Sequence, residues 1–145
     1  MSAQHLASPG SWLVTSRQLV AAGDRSALRE LVAAYDSPVE GRRGLLLAAM
    51  QELGGVDEAT RLASSSDAVD RRLAARLMHL LPDERHLPVL EPLVADPDVV
   101  VAAAARRAMR GQRRTKEWHA AAERLMNAKD PALGEAAADW LWESN

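Results

Sequence analysis

The sequence predicts an all-α protein, and three of its features support this prediction. Eleven Val and three Thr are the only β-branched residues among 145, too few for a protein built on β-sheets. Apolar residues recur at intervals of three and four almost to the end of the chain, as on one face of a helix. Turns that contain Asp, Ser or Pro separate these stretches and are typical of helix starts.

The sequence of the N-terminal third predicts a flexible N-terminal segment followed by two helices. Residues 1–10 are expected to be flexible, and residues 11–145 to form a single helical domain. A first helix is expected over residues 12–22, because apolar residues keep helical spacing until Gly23 and Asp24. The same spacing marks a second helix through Leu28, Leu31, Val32 and Tyr35.

Two further helices are predicted before residue 67. Ser37 and Glu40 form a capping box, with Pro38 at the first helical position, so a third helix begins there. Its apolar residues are Leu46, Leu47, Met50 and Leu53, and Gly54-Gly55 is expected to end it. A short fourth helix carries Val56, Ala59, Leu62 and Ala63, followed by a Ser64-Ser65-Ser66 turn that caps the next helix beside Asp67.

Five helices are predicted in the remainder, which gives about nine in all. One contains Val69, Leu73, Leu77 and Leu80 and is closed by Pro82. Residues 87–95 contain Pro88 and Pro92, so that helix must be short or kinked. The others begin at Asp96-Pro97, at Thr115 and at Asp130-Pro131; Gly111 ends the first of these, and the last carries Leu133, Ala137 and Leu141.

The predicted helices repeat along the chain. Four similar turns precede Val39, Val69, Val99 and Leu133, which are 30, 30 and 34 residues apart. A fixed period of this length with two helices per unit is typical of an α-solenoid. We therefore expect an α-α superhelix of about four helix pairs, with the N-terminal helix covering the first pair.

Residues 67–77 (DAVDRRLAARL) and 96–109 (DPDVVVAAAARRAM) resemble HEAT repeats. The closest type is the short bacterial form of about 30 residues that also occurs in phycobilin-lyase-like proteins. The resemblance covers about residues 25–143 and implies a HEAT-like solenoid that acts as a protein-binding scaffold or adaptor. Two repeats keep an i, i+4, i+8 apolar register (Val69-Leu73-Leu77 and Leu133-Ala137-Leu141), whereas a third slips to Val100-Ala104-Ala108.

Composition and charge exclude several classes of protein. The absence of Cys excludes a disulfide scaffold, a Cys-based zinc finger and a thiol enzyme. The net charge of −2 provides no global attraction to nucleic acid or to anionic lipid. The longest apolar run has seven residues, and the N-terminus lacks the pattern of a signal peptide, so a cytoplasmic protein is expected. Abundant Ala and Arg without Ile or Phe are typical of a GC-rich bacterial gene.

The sequence contains one strong charge cluster, a run of six cations in eleven residues with no acid among them. The cations are Arg106, Arg107, Arg110, Arg113, Arg114 and Lys116. Such a run is usually a solvated face or the end of a helix. Its functional interpretation is contact with an acidic protein partner, which we rank above nucleic acid because no aromatic residues are interleaved for base stacking.

No catalytic, cofactor or metal site is predicted. His119 with Glu123, and His79 with Asp83, have the i, i+4 spacing of two ligands, but no third ligand follows at a recognised spacing. These pairs are interpreted as surface pairs on helices. The chain is therefore expected to be non-catalytic.

Trp140 and Trp142 cannot share a helix face, because residues two apart on a helix point about 200° away from each other. Trp140 is expected to be buried and Trp142 exposed, where Trp142 can anchor a partner or a second copy of the chain. The HEAT resemblance places the second helix of each pair on an inner face. Candidate residues there are Glu40, Arg43, Asp70, Arg71, Arg106, Arg110, Glu135 and Asp139.

The residues expected to bind a partner are selected from these candidates, from the arginines of the basic run and from the two tryptophans. They are Arg43, Asp70, Arg71, Arg106, Arg107, Arg110, Arg113, Arg114 and Trp142. Three alternatives to an adaptor stay open: a nucleic-acid-binding HEAT-like protein that uses the basic run, a bacterial immunity or inhibitor protein, and a lyase-like accessory protein. A monomer or weak homodimer is expected.

Overall fold

The computed structural model describes residues 18, 21, 23, 25–36 and 43–144, and within them every regular element is helical. This confirms the all-α prediction. The predicted flexible residues 1–10, the capping box at 37–40 and all but two residues of the predicted helix 12–22 lie outside the described residues. The eight α-helices of the described part are α1 (Ala27–Tyr35), α2 (Arg43–Glu52), α3 (Gly55–Leu62), α4 (Ala68–Leu80), α5 (Leu87–Leu93), α6 (Val99–Arg110), α7 (Lys116–Met126) and α8 (Pro131–Glu143).

The chain divides into two compact units, residues 1–58 and 59–145. Whether residues 11–145 act as a single domain stays a prediction. None of the helices just described has the length and apolar character that crossing a bilayer requires.

Side-chain caps fix the start of four helices. The Thr115 and Asp130 side chains accept from backbone amides in the first turn of α7 and α8, as the sequence predicts. The cap of α4 is Asp67, which accepts from Val69 N, and not the predicted run of Ser64 to Ser66. The predicted start of α6 at Asp96-Pro97 is wrong by two residues. Asp98 is the cap there, and its carboxylate accepts from Val100 N at 2.9 Å and from Val101 N at 3.1 Å.

Helix ends follow the predicted breakers, with one change. Gly54 has a φ of +76°, a left-handed conformation that suits glycine and ends the turn after α2. The predicted terminator Gly54-Gly55 does not act as a pair, because Gly55 already belongs to α3. The Pro-containing α5 has only seven residues, which confirms the prediction of a short helix.

In the first unit α1 packs against α2. Leu28, Leu31, Leu46 and Met50 are fully buried there. Glu58 is also buried, and its carboxylate lies 3.6 Å from the Arg25 guanidinium.

In the second unit α4 packs most extensively against α6, α5 contacts α6 and α7, and α7 packs along α8. Fully buried side chains there include Leu77, Met78, Leu90 and Met109. Trp118 is also fully buried, and its indole Nε1 donates to the Met109 carbonyl oxygen at 3.0 Å. This bond removes the cost of burying an unpaired indole N–H.

The apolar register predicted for α6 needs correction. Val100 is 50% exposed and Ala104 is half-buried, whereas Ala108 is buried as predicted. The other buried residues of α6 are Val101, Ala102, Ala105 and Met109. The register shifts because the helix starts after Asp98, so the first two valines lie in an open first turn. Val69 holds the same position in α4 and is 56% exposed rather than buried.

Candidate interaction surface

The predicted basic run has no acid of its own, but residues distant in sequence supply acids in space. Arg110 contacts Glu143 through two bonds of 2.8 and 3.1 Å. Arg113 lies 3.3 Å from Glu84, although both side chains are largely exposed. Exposed pairs of this kind contribute only about 0–1 kcal/mol each. Their main effect is to give Arg110 and Arg113 carboxylate partners within this chain.

Arg114 lies over a buried ring. Its guanidinium is 4.0 Å from the centre of the Trp118 ring and donates to the Arg110 carbonyl oxygen at 2.7 Å. It also donates to the Ser144 hydroxyl at 2.9 Å. Arg107 and Lys116 are exposed, and within the described part of the chain neither makes an ion pair.

Arg71 and Arg106 each join two successive turns of the second unit. Arg71 donates to the Ser65 carbonyl oxygen at 3.0 Å and contacts the Asp96 carboxylate at 2.8 Å. Arg106 donates to the Val94 carbonyl oxygen at 3.1 Å and lies 3.4 Å from Asp130. The Arg71 guanidinium holds the pKa of the Asp96 carboxyl below its usual range. Both arginines therefore stabilise the fold by linking two turns through hydrogen bonds and an ion pair.

The other predicted site residues have varied surroundings. Arg43 stacks over the Tyr35 ring at 4.9 Å within the first unit. Asp70 accepts from the Ser65 hydroxyl at 2.9 Å. Glu135 and Asp139 are exposed on α8. Glu40 lies outside the described residues.

Helices α4 and α6 run parallel, side by side. Near their N-terminal ends Arg71 reaches Asp96, the residue two before the α6 cap. At their C-terminal ends the Gln112 amide donates to the Met78 carbonyl oxygen at 3.1 Å. A β-carbon on Gly111 would lie 3.5 Å from the His79 ring. Near the C-terminal ends of the two helices, a residue on α4 therefore lies beside the residue on α6 whose number is about 32 higher, as His79 lies beside Gly111.

Helices α4, α6 and α8 each carry four outward-facing residues at positions i, i+3, i+7 and i+10. These positions lie within about 80° of one another around a helix, and we call each set of four a stripe. Most of these residues are exposed, and Arg76 and His79 are half-buried. The α4 stripe is Val69, Arg72, Arg76 and His79; the α6 stripe is Val100, Ala103, Arg107 and Arg110; the α8 stripe is Ala132, Glu135, Asp139 and Trp142.

The α4 and α6 stripes contain four arginines and no acidic residue. His79 is the last residue of the α4 stripe, where burial lowers the pKa of its imidazole and the cations of Arg107 and Arg76 lower it further. Its Nδ1 is buried and has no hydrogen-bond partner among the described residues. The imidazole is therefore neutral at pH 7, and the positive charge of this surface comes from the arginines.

The α8 stripe differs in charge and carries the largest exposed apolar side chain of the described residues. Trp142 is 80% exposed, whereas Trp140, two residues earlier, is 5% exposed. This confirms the predicted orientation of the two tryptophans. Glu135 and Asp139 occupy the two middle positions of the stripe.

A groove of about 430 Å³ lies elsewhere in the second unit, where the turn before α5 meets the turn before α7. Asp83 pairs with Arg85 in its lining, at 3.0 Å. Trp118 lines it but is fully buried, so it offers little open surface. Across the residues that the structure describes, no three His, Asp or Glu side chains are grouped as metal ligands would be.

The described residues define the class: an all-α protein of packed neighbouring helices, three of which expose rows of residues at the same spacing. No protein-family model, curated protein or solved structure matches the chain.

Three members of the surface, Arg72, Arg76 and His79, do not appear among the residues predicted from sequence. A signal for them exists, since Val69, Val100 and Ala132 are 31 and 32 residues apart and each starts the same i+3, i+7, i+10 pattern. The pattern is hidden because the turns repeat at 30, 30 and 34, which misaligns the helices by one or two residues.

Proposed function

We propose that this protein is a HEAT-like α-solenoid and a non-catalytic interaction module, whose α4 and α6 stripes bind an acidic segment of a protein partner. The observation that carries the proposal is the pair of parallel stripes, which contain four arginines and no acid, although Arg110 at one end pairs with Glu143 outside the stripes. Stacked helices with equivalent exposed rows are how solenoid repeats build a binding surface. The parallel packing of α4 on α6 supports this architecture.

Arg72 and Arg107 are the strongest contacts for the proposed partner. Both are exposed, and neither makes an ion pair with another described residue. Carboxylates are suitable ligands because a guanidinium can donate two parallel hydrogen bonds to one carboxylate. Each exposed pair contributes at most about 1 kcal/mol, so the partner must use several acids at once.

A protein partner fits this surface better than nucleic acid does. Three of the cations in the basic run, Arg106, Arg110 and Arg113, already pair with acids of this chain. The exposed ends of the stripes are Val69 and Val100, which offer no aromatic face for stacking on bases. An adaptor, an inhibitor and an enzyme accessory protein would all use such a surface.

The proposal is tested with the full chain and a fluorescent polyglutamate peptide, whose binding is followed by anisotropy at two salt concentrations. Replacing Arg72 and Arg107 with Gln should weaken binding about five- to tenfold, most clearly at low salt. The matched control replaces Lys116 and Lys129, two exposed cations outside the stripes, with Gln. Circular dichroism verifies that all variants are folded.

Two results would contradict the proposal. Equal losses in the stripe variant and the control would mean that the peptide responds to total charge and not to this surface. Duplex DNA that binds more tightly than the peptide, and loses affinity when Arg72 and Arg107 are replaced, would assign the surface to nucleic acid.

A further inference from the structure

We infer that the chain also binds a second copy of itself, with the α8 stripe of one molecule docked on the α4 stripe of the other. The inference rests on the α4 half of the proposed binding surface. It goes beyond the proposed function because it identifies an acidic, Trp-bearing ligand for that surface within this chain.

The two stripes are complementary position by position. Arg72 and Arg76 occupy the middle positions of the α4 stripe, and Glu135 and Asp139 occupy the middle positions of the α8 stripe. In both stripes the charged residues are four apart, a rise of about 6 Å along the helix. Because the charges are central, each arginine meets an acid whether the two helices run parallel or antiparallel.

The ends of the stripes add an apolar contact. In the antiparallel arrangement Trp142 lies on Val69, and these side chains are 80% and 56% exposed. In the parallel arrangement Trp142 lies on the ring of His79. An exposed Trp that becomes buried at an interface is the type of residue that dominates binding energy.

The α8 stripe is held ready for docking by the rest of the second unit. Glu143, the neighbour of Trp142, is clamped by two hydrogen bonds from Arg110. Ser144 donates to the Trp140 carbonyl oxygen at 2.8 Å and accepts from Arg114. The backbone of the last turn of α8 therefore has tertiary contacts on both sides of Trp142, and less backbone freedom is lost when Trp142 docks.

A second copy suits the site because each molecule carries both halves of the contact. The net charge of −2 gives only weak repulsion between two molecules at neutral pH. The basic and acidic stripes provide the local attraction.

The test is sedimentation velocity of the full chain over a wide range of concentrations. The parent should shift towards a larger species as concentration rises. Two charge reversals, Glu135→Arg/Asp139→Arg on α8 and Arg72→Glu/Arg76→Glu on α4, should each weaken association about tenfold or more. An equimolar mixture of the two variants should associate again, because each supplies the charge that the other has lost.

The control reverses Glu117 and Glu123, two exposed acids on α7, and carries the same change of net charge as the α8 reversal. It should associate as the parent does. Recovery in the mixture also shows that both reversed variants are folded.

The inference is overturned if the parent stays monomeric at the highest concentration, if the reversals leave association unchanged, or if the mixture fails to associate. Binding of polyglutamate separates this failure from that of the proposed function. The α8 reversal should weaken self-association and leave peptide binding intact, whereas the α4 reversal should weaken both.

Discussion

Trp140 and Trp142 provide a direct test of the C-terminal helix, because two identical residues two positions apart have opposite surroundings. The change is the same at both sites, Trp to Ala, so composition and helix propensity are matched. Only burial differs, at 5% exposure for Trp140 and 80% for Trp142. Any difference between the two variants therefore reports how the side chains pack.

The expected magnitudes follow from that burial. Trp140→Ala removes a buried ring and leaves a cavity, which costs about 3–5 kcal/mol of unfolding free energy in protein cores. Trp142→Ala removes a side chain that is already in solvent, so the change should be less than about 1 kcal/mol. Ala is the better helix former by a few tenths of a kcal/mol, and this gain applies equally to both variants.

The measurement is urea unfolding followed by far-UV circular dichroism, because Trp fluorescence would change with the fluorophore that each variant lacks. Each melt is recorded at two protein concentrations, since association stabilises the folded state by mass action. If Trp142→Ala costs as much as Trp140→Ala at both concentrations, the register of α8 is wrong. A cost for Trp142→Ala that grows with concentration would support the proposed contact between two copies.

Three further predictions concern stability. Gly134→Ala should destabilise the protein although Ala favours helices, because its β-carbon would lie 2.9 Å from the Met126 carbonyl oxygen. Gly44→Ala in α2, where nothing lies within 4 Å, should instead stabilise by up to about 1 kcal/mol, and chemical melts that rank the two the other way would contradict the packing. Thr115→Ala removes the cap of α7 and should cost about 1 kcal/mol in the same melts, unless another group takes over the Trp118 amide. Burial lowers the pKa of His79 below its ordinary value of 6.5 in the folded state, so the unfolded chain binds more protons in acid. Stability should therefore fall as the pH drops below about 6.5, and His79→Gln should flatten that fall.

The helices could be predicted from sequence because their signals are local. Capping residues such as Thr115 and Asp130, and breakers such as Pro92, act within one turn of their own position. The start of α6 could not be predicted with the same certainty, since Asp96 and Asp98 are both competent caps. The Asp96 carboxylate accepts from the Asp98 amide and also from Arg71, 25 residues earlier. The helix begins only after Asp98, whose carboxylate accepts from the Val100 and Val101 amides. The local sequence does not distinguish these two aspartates.

The candidate surface was less predictable than the fold, for a related reason. A run of cations shows that no acid is nearby in sequence but not that none is nearby in space. Glu84, Asp130 and Glu143 lie 24 to 33 residues from the arginines that they contact. Replacing Arg106, Arg110 and Arg113 together would therefore break three intramolecular pairs as well as any contact with a partner.

In the Arg71-Arg72 and Arg106-Arg107 pairs, one arginine makes structural contacts and the next arginine is exposed to solvent. Successive residues on a helix point about 100° apart, so an Arg-Arg pair cannot direct both side chains to one surface. Arg71 and Arg106 turn towards the adjacent turns, with side chains 17% and 29% exposed, and tie those turns together. Arg72 and Arg107, the next residue in each case, point outward from the stripes. The doubled arginine thus lets one short segment hold the stack of helices and charge its outer surface.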